Sequence, residues 1–299
     1  MRRPIGLLLS TCVAWGQVQV YEGVLNDQPV MYQNVGGMAV YQGDILLGPV
    51  VKPNGERAAS FTTGTLWPRG VIPYEIDPGL LASTQTSVQS AIAAWNGYGT
   101  PIHFQPRVAE TAYVRFVRTD PPVGACSSSV GRTGGQQLIR LDDGCGTPSI
   151  IHEMGHAVGM WHEQSRKDRN LNVTVLWENI QKSFASNFNL LASSAQDVNS
   201  YEYASSMHYA PFSFNIDGRS VLESVPAGIP MGEATGMDPE DLDAVMRMYG
   251  ATPKQITVTS NPPGLTVLVD GLEVITPQSF DWTTETHALR HIETTEKTF

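Results

Sequence analysis

The chain has 299 residues, 41% hydrophobic and 16% charged, and its formal net charge is −10 at pH 7. This much apolar material argues against a disordered chain and allows one large domain or two ordinary ones. The acidic balance and the lack of any Lys and Arg cluster argue against a nucleic-acid partner.

The chain begins with the pattern of a secretory signal peptide, MRRPIGLLLSTCVAWGQ. Two arginines precede an apolar run from Ile5 to about Trp15, and Ala14 and Gly16 provide the small residues of a cleavage site. The run is too short to anchor the chain, and no other stretch reaches the ~20 apolar residues of a transmembrane helix. We therefore expect a signal peptide over residues 1–16, export from the cell and no membrane span.

Residues 17–57 contain two β-like runs, GQVQVYEGV and MAVYQGDILLGPVV, and end in the turn-rich stretch KPNGER. Such an exposed stretch suits proteolytic cleavage. The segment is interpreted as a pro-segment or a small β subdomain. From the residues alone, YQGDI within it favours a Gly-Asp turn between two strands.

Residues 58–250 mix helices and strands in one domain of catalytic size. GVIPYEI and AYVRFV are predicted strands, and TQTSVQSAIAAWN is a predicted amphipathic helix with an early threonine cap. MDPEDLDAVMRMYG predicts a closing helix with Asp238 as its cap, Pro239 as its first residue and Gly250 at its end. The expected fold class is α+β.

Two cysteines, Cys126 and Cys145, remain once Cys12 is removed with the signal peptide. An even pair in an exported chain is more typical of a disulfide than of two free thiols. It would join the ends of a loop just ahead of a histidine-rich stretch.

That stretch, IIHEMGHAVGMWHEQSRKDR at residues 150–169, holds three of the seven histidines of the chain. A helix capped within Thr147–Ser149 and running through Met160 places His152 and His156 on one face, because residues four apart differ by only ~40° in azimuth. Two imidazoles on one face can ligate one metal ion.

Gly159 and His162 are expected to complete the site. A glycine at a helix end can adopt a left-handed conformation and turn the chain, which returns His162 as the third ligand of a zinc ion. Glu153, beside the first histidine, projects toward the solvent side of that ion and is the candidate general base. The alternative is a helix that carries histidines by chance, which the complete HExxHxxGxxH pattern makes rare.

HEMGHAVGMWHEQSRKDR resembles the extended zinc signature HExxHxxGxxHExxRxDR of the astacin family of metzincin metalloendopeptidases, and SSMHY resembles that family's Met-turn. The resemblance covers about residues 58–250 and implies a cleft between a β-rich half and an irregular half. It also implies that Met207 underlies the metal and that Tyr209 is a zinc-side ligand that swings to the transition state. Without it, Met207 would be assigned to the core and Tyr209 to packing.

The resemblance also changes the interpretation of residues 17–57. Astacin pro-segments carry an FxGD motif whose aspartate takes the place of the catalytic water on zinc. In YQGDI the glycine and Asp44 match, while Tyr41 replaces phenylalanine. Asp44 is thus expected to keep a zymogen inactive until an activating protease cuts after Arg57, which would make Ala58 the mature amino terminus.

In the same family, the glutamate matching Glu163 contacts the buried amino terminus of the mature enzyme through water. The alternative for Glu163, Arg166, Asp168 and Arg169 is a solvated run of charges.

The cysteines show one departure from the family, whose catalytic domains usually carry two disulfides. Cys126 and Cys145 match only the shorter one. The missing long-range crosslink would cost ~2 to 5 kcal/mol, to be offset elsewhere.

Residues 251–299 predict a small β module, since ITVTSNPPGLTVLVDGLEV alternates apolar and polar residues around a Pro-Gly turn and an Asp-Gly hairpin turn. This stretch resembles the start of a PEGA-type module, found mostly on bacterial surface and exported proteins, which suggests a bacterial source. The polar tail lacks the rest of that pattern. His287 and His291 within it are assigned to a solvated helix or to disorder.

These observations together predict a secreted, zinc-dependent metalloendopeptidase that is made as a zymogen, binds one catalytic Zn²⁺ and acts on extended polypeptides. One alternative is a non-catalytic, zinc-stabilised adhesion or binding protein, and another is a zinc hydrolase of a non-peptide amide. The intact Glu153 argues against the first, since a purely structural site has no use for a base beside an open coordination position.

Overall fold

A mixed β-sheet of ten strands organises the first half of the chain, as seen in a computed structural model of the 299 residues. The described residues are 19–50, 59–61, 64–119, 125–191, 197–250, 254–269, 272–282 and 288–291. The predicted signal peptide, the cleavage stretch KPNGER and Ala58 lie outside these ranges.

The sheet is built from two successive sets of five strands. The first set, β1 to β5, comprises Val20–Leu25, Gln28–Val35, Met38–Tyr41, Ile45–Pro49 and Ala59–Phe61. The second set, β6 to β10, comprises Val71–Ile76, His103–Pro106, Tyr113–Arg118, Ser127–Ser128 and Gln136–Leu141. The order across the sheet is β5-β1-β2-β3-β4-β9-β10-β8-β6-β7, so the two sets meet where β4 lies beside β9.

The strands from residues 17–57 are therefore continuous with the main sheet and do not form a separate subdomain. Strands β1 to β4 pair antiparallel with one another, and Ile45 of β4 pairs with Ser128 of β9. The N–H of Ser128 donates to the carbonyl of Asp44 at 2.9 Å. The Gly-Asp turn predicted in YQGDI is present, because β3 ends at Tyr41 and β4 begins at Ile45.

Four α-helices lie within the described ranges: α1 Ala82–Gly97, α2 Thr147–Val158, α3 Arg169–Asn172 and α4 Pro239–Met248. Helix α1 buries Val88, Ile92 and Trp95, and the indole N–H of Trp95 donates to the carbonyl of Ile151 in α2 at 3.2 Å. Strands and helices together confirm the α+β class. None of the helices in the described ranges has the length and apolarity needed to cross a bilayer.

The predicted helix caps are confirmed in one case out of three. Helix α1 begins before Thr84, which is buried and caps nothing, because its side chain faces the core. Helix α2 begins after Gly146 without a side-chain cap, so the cap predicted within Thr147–Ser149 is wrong. In α4, Asp238 accepts from the N–H of Asp241 at 2.7 Å in a capping box, as its sequence predicts.

The residues after α2 are mostly irregular. Short 3₁₀ turns occur at Glu163–Ser165, Trp177–Asn179 and Lys182–Phe188, and strands β11 Val173–Val175 and β12 Leu222–Ser224 form a two-stranded sheet. A buried apolar cluster around Phe188, Val221 and Met231 holds this part together. The chain thus has a β-rich half before α2 and an irregular half after it, as the resemblance implied.

Cys126 and Cys145 form the expected disulfide, which links the segment before β9 to the segment before α2. The end of α4 is held by a hydroxyl group. Tyr249 donates to the carbonyl of Val158 at 2.7 Å and accepts from the N–H of Trp67 at 3.4 Å. These bonds tie the last turn of α4 to the end of α2.

The C-terminal residues form β13 Lys254–Val258, β14 Thr266–Val269, β15 Leu272–Ile275, β16 Gln278–Trp282 and β17 Leu289–His291. The predicted hairpin is confirmed by the antiparallel pairing of β14 with β15. His291 lies in β17 and pairs with Val267 of β14, so its assignment to a helix or disorder is wrong: the edge of β14 pairs with this strand. His287 lies outside the described residues.

Candidate metal centre

Helix α2 and the bend after it bring the three predicted histidines together. The ring centroids of His152 and His156 lie 4.8 Å apart, as expected for positions four apart on one helical face. The ring of His162 lies 5.4 Å from the first and 4.7 Å from the second.

Gly159 makes this bend possible. Its φ is 128°, in the region that L side chains rarely adopt, and its N–H donates to the carbonyls of Gly155 and His156 at 3.1 and 2.9 Å. An added Cβ would lie 3.0 Å from Met248 and 3.2 Å from Leu66. The helix therefore ends at Val158, two residues before the predicted Met160, because this glycine breaks it.

Each histidine is oriented by a hydrogen bond from Nδ1 to a carbonyl-type oxygen. The pairs are His152 with Ser206 O at 2.6 Å, His156 with Met160 O at 2.8 Å and His162 with Gln42 Oε1 at 3.2 Å. Because such an oxygen only accepts, Nδ1 carries the proton in each ring. Each Nε2 of a neutral ring then keeps a lone pair, which is the state that ligates a metal.

The carboxylate of Asp44 lies between the three Nε2 atoms. The distances are 3.4 Å to His152, 3.6 Å to His156 and 3.2 Å to His162. Two donors ~2.0 Å from one tetrahedral zinc ion lie ~3.3 Å apart, so the spacing fits such an ion. Within the described residues, Nε2 of His152 and of His156 and Oδ1 of Asp44 are buried without a hydrogen-bond partner, which a bound cation would correct.

The charge states also suit a metal. Burial lowers the pKa of His156, and it lowers the pKa of His162 to about 4. Burial acts in the same direction on His152, but the neighbouring carboxylate of Asp44 outweighs it and raises that pKa. Burial would raise the pKa of Asp44, yet the electrostatic field of His162 and of the two other rings holds it well below its usual range. The carboxylate is thus an anion facing three imidazoles.

Glu153 faces the same space without belonging to the ligand cluster. It lines an open cleft of about 810 Å³ together with Asp44, His152 and the disulfide. Burial, and next the charge of Asp44, raise its pKa well above the usual value. Its Oε2 has no hydrogen-bond partner among the described residues, so this oxygen is available for a proton.

Met207 and Tyr209 lie at this centre as the resemblance implied. Met207 is 1% exposed, and its sulfur packs so closely on Gly155 of α2 that an added Cβ there would lie 2.8 Å away. The ring of Tyr209 is 4.8 Å from that of His162. Its backbone N–H donates to Gln164 Oε1 at 2.9 Å.

Gln42, which no sequence pattern singles out, contacts both His162 and Tyr209. Its side chain is fully buried, donates to Ser165 Oγ at 2.8 Å and accepts from His162. Its backbone carbonyl accepts from the hydroxyl of Tyr209. The next residue, Gly43, has φ 83° and an added Cβ would lie 2.7 Å from Phe214, so only glycine fits there.

The four charged residues of the signature that follow His162 are buried or half-buried, which argues against a solvated run. Arg166 is 7% and Arg169 3% exposed, and Arg166 forms a bidentate pair with Asp168 at 2.9 Å. Glu163 accepts from the N–H of Glu202 at 2.8 Å. Burial raises the pKa of Glu163 to about 8, against the lowering effect of Arg166.

Comparisons with known proteins identify a peptidase family and relatives that are zinc metalloproteinases. Residues 60–250 match the family model Astacin, which describes a family of peptidases. The zinc metalloproteinase nas-6 of Caenorhabditis elegans is 36% identical over 194 residues, 63% of this chain and 55% of its own length. High choriolytic enzyme 1 of Oryzias latipes is 33% identical over 219 residues, 69% of this chain and 77% of its own.

The solved structure of high choriolytic enzyme 1, a hatching enzyme zinc-protease, superposes with a TM-score of 0.57 at 33% identity, covering 62% of this chain and 94% of that one. The chain spans about half the length of nas-6, and 43% of the related nas-13. The matched region contains α2, the glycine bend and the Met-turn. The chain therefore belongs to the astacin family of zinc metalloproteinases.

Proposed function

We propose that this chain is a secreted zinc metalloendopeptidase made as a zymogen, with the catalytic domain at residues 58–250. The proposal rests on one observation. The Nε2 lone pairs of three histidines converge beside the carboxylate of Glu153, which is not among the metal ligands. His152, His156 and His162 would hold the zinc ion, and Glu153 would act as the base.

A bound zinc ion lowers the pKa of its water toward ~7 and polarises the substrate carbonyl. Glu153 takes the proton of the attacking water on its carboxylate and returns it to the departing amine. The phenol of Tyr209 donates a hydrogen bond to the oxygen on which negative charge develops. An extended polypeptide is the proposed substrate class, bound in the cleft that His152 and Glu153 line.

In the zymogen, Asp44 would bind the metal together with the three histidines and so exclude the catalytic water. A protease that cuts after Arg57 would release the segment and make Ala58 the new amino terminus. Glu163 is proposed to bind this terminus. Its ammonium group would favour the ionised carboxylate of Glu163, which burial now disfavours. The buried Asp241 adds to the negative field at Glu163 and would favour the same group.

The localisation rests on the predicted signal peptide and on the Cys126–Cys145 disulfide, which favours an oxidising compartment. The relatives named above come from animals and give no support to a bacterial source. A bacterial origin therefore stays a prediction from the PEGA-like stretch alone.

Casein digestion by the trypsin-treated full chain tests the proposal. We expect cleavage that a chelator abolishes and that added Zn²⁺ restores. A chain that binds one zinc ion per molecule but cuts neither casein nor small amides would be a binding protein. Hydrolysis of small amides without casein would identify the non-peptide hydrolase instead.

Replacing Asp44 with asparagine should make the uncut zymogen leak. Hydrogen bonds to charged groups contribute ~1.5 to 3 kcal/mol, so losing the anion should raise the activity of the uncut chain ~10-fold to 10²-fold. The assay uses an Arg57→Gln background, which separates leakage from processing. Asp27→Asn, the same change at an exposed turn of the same segment, is the control and should stay silent. A silent Asp44 variant would contradict the latency role.

A further inference from the structure

The loop of residues 201–209, which precedes and includes the Met-turn, contains a partly buried hydrogen-bonded pair that the proposed mechanism does not use. The hydroxyl of Tyr201 lies 2.7 Å from Nε2 of His208, and Nδ1 of His208 lies 2.7 Å from the carbonyl oxygen of Tyr209. Among the described residues, these are the contacts that connect Tyr201 to the catalytic tyrosine.

The donors and acceptors in this chain of bonds have a single consistent assignment. The carbonyl of Tyr209 only accepts, so Nδ1 of His208 carries the proton. With its proton on Nδ1, the neutral ring presents Nε2 as an acceptor. The hydroxyl of Tyr201 is therefore the donor. It fixes the tautomer that allows His208 to hold Tyr209.

Both backbone polar groups of Tyr209 form hydrogen bonds with neighbouring side chains. Its N–H donates to Gln164 Oε1 at 2.9 Å, while its carbonyl accepts from His208. Its side-chain hydroxyl, in contrast, is held by the carbonyl of Gln42 in the segment proposed to leave on activation. Release of that segment would free the phenol while the backbone stays in place.

The other end of the loop is attached to the Glu163 cluster, which consists of Glu163, Arg166 and Asp168. The guanidinium carbon of Arg166 lies 5.7 Å from the centroid of the Tyr201 ring. The N–H of Glu202, next to Tyr201, donates to Glu163 at 2.8 Å. Tyr201 thus faces Arg166 of this cluster on one side and His208 on the other.

We propose that Tyr201 and His208 are positioning residues that couple the Glu163 cluster to the backbone of Tyr209. They set the place from which the phenol reaches the reacting oxygen. The inference rests on the proposed function of Tyr209 as a hydrogen-bond donor in peptide hydrolysis. A misplacement of ~1 Å in such a donor can cost up to 10²-fold in rate.

The test is Tyr201→Phe in the activated full-length enzyme, which removes one hydroxyl and keeps the ring against Arg166. We expect kcat to fall ~10-fold with KM unchanged and one zinc ion retained. The Kd for a phosphinic peptide, a mimic of the tetrahedral transition state, should weaken by the same factor. This second measurement reports the position of Tyr209 without turnover.

Tyr203→Phe is the matched control, because Tyr203 lies in the same loop but donates to the carbonyls of Asn172 and Val225, at 3.0 and 2.8 Å. It should lower the Tm and leave kcat unchanged. In a Tyr209→Phe background, Tyr201→Phe should have no further effect, since it acts through that phenol.

Equal kcat values for Tyr201→Phe and Tyr203→Phe, or a full effect of Tyr201→Phe without the Tyr209 hydroxyl, would overturn the inference. Absence of any chelator-sensitive peptidase activity in the unmodified enzyme would overturn the proposed function as well. The two failures are thus distinguishable.

Discussion

Replacing Glu153 with glutamine should reduce kcat for peptide hydrolysis by about 10⁴-fold, because general acid and base catalysis by one group contributes ~10² to 10⁴ and this residue is proposed to serve in both steps. The variant should still bind one zinc ion. Glu153 is not among the residues whose ligand atoms converge, which are Asp44 and the three histidines. The measurements are kcat after activation and metal content by mass spectrometry.

The matched control is Glu178→Gln, the same change at an exposed residue outside the cleft, which should leave kcat unchanged. Similar kcat values for wild type and for Glu153→Gln or Glu153→Ala would reject Glu153 as the base. A loss of zinc together with activity would show that Glu153 is needed to bind the metal instead.

The charge of Asp44 is, after burial, the second cause of the raised pKa of Glu153. Its release should therefore lower that pKa and favour the ionised base in the mature enzyme.

The parts of the site that follow from local geometry were predictable from the sequence. The four-residue spacing of His152 and His156 fixes their common face, and a glycine after the helix signals the bend that returns His162. The resemblance supplied Met207 and Tyr209, which carry no signal of their own, since a buried methionine or tyrosine is ordinary core material.

The parts that depend on long-range packing were not predictable. Gln42 contacts His162 across 120 positions of sequence, and a polar residue in a turn gives no indication that it will be buried. The capping role of Asp238 was predicted, but its partner Asp241 also accepts from Ser205 Oγ at 2.6 Å and from the N–H of Ser206 at 2.8 Å. It thereby supports the carbonyl that orients His152.

Removing the hydroxyl of Tyr209 should lower kcat of the activated enzyme ~10²-fold to 10³-fold, leaving partial activity. Loss of one donor to a developing oxyanion costs ~3 to 4 kcal/mol. The phenylalanine ring keeps its packing, since the Tyr209 ring lies 4.8 Å from His162, 5.6 Å from Phe188 and 5.5 Å from Phe214. KM and zinc content should therefore stay close to wild type, as steady-state kinetics and metal analysis can show.

The same hydroxyl donates to Gln42, in the segment proposed to inhibit the uncut chain, which gives Tyr209→Phe a second expected effect. The uncut chain loses the bond from Tyr209 to Gln42, so the inhibitory segment should leave sooner after trypsin is added. Tyr41→Phe is the control, because its hydroxyl accepts from Gln42 Nε2 at 3.3 Å but belongs to the segment that is removed. Its kcat after activation should equal that of wild type. If Tyr209→Phe also kept full kcat, the phenol would serve latency alone, and the oxyanion would depend on the metal and Glu153.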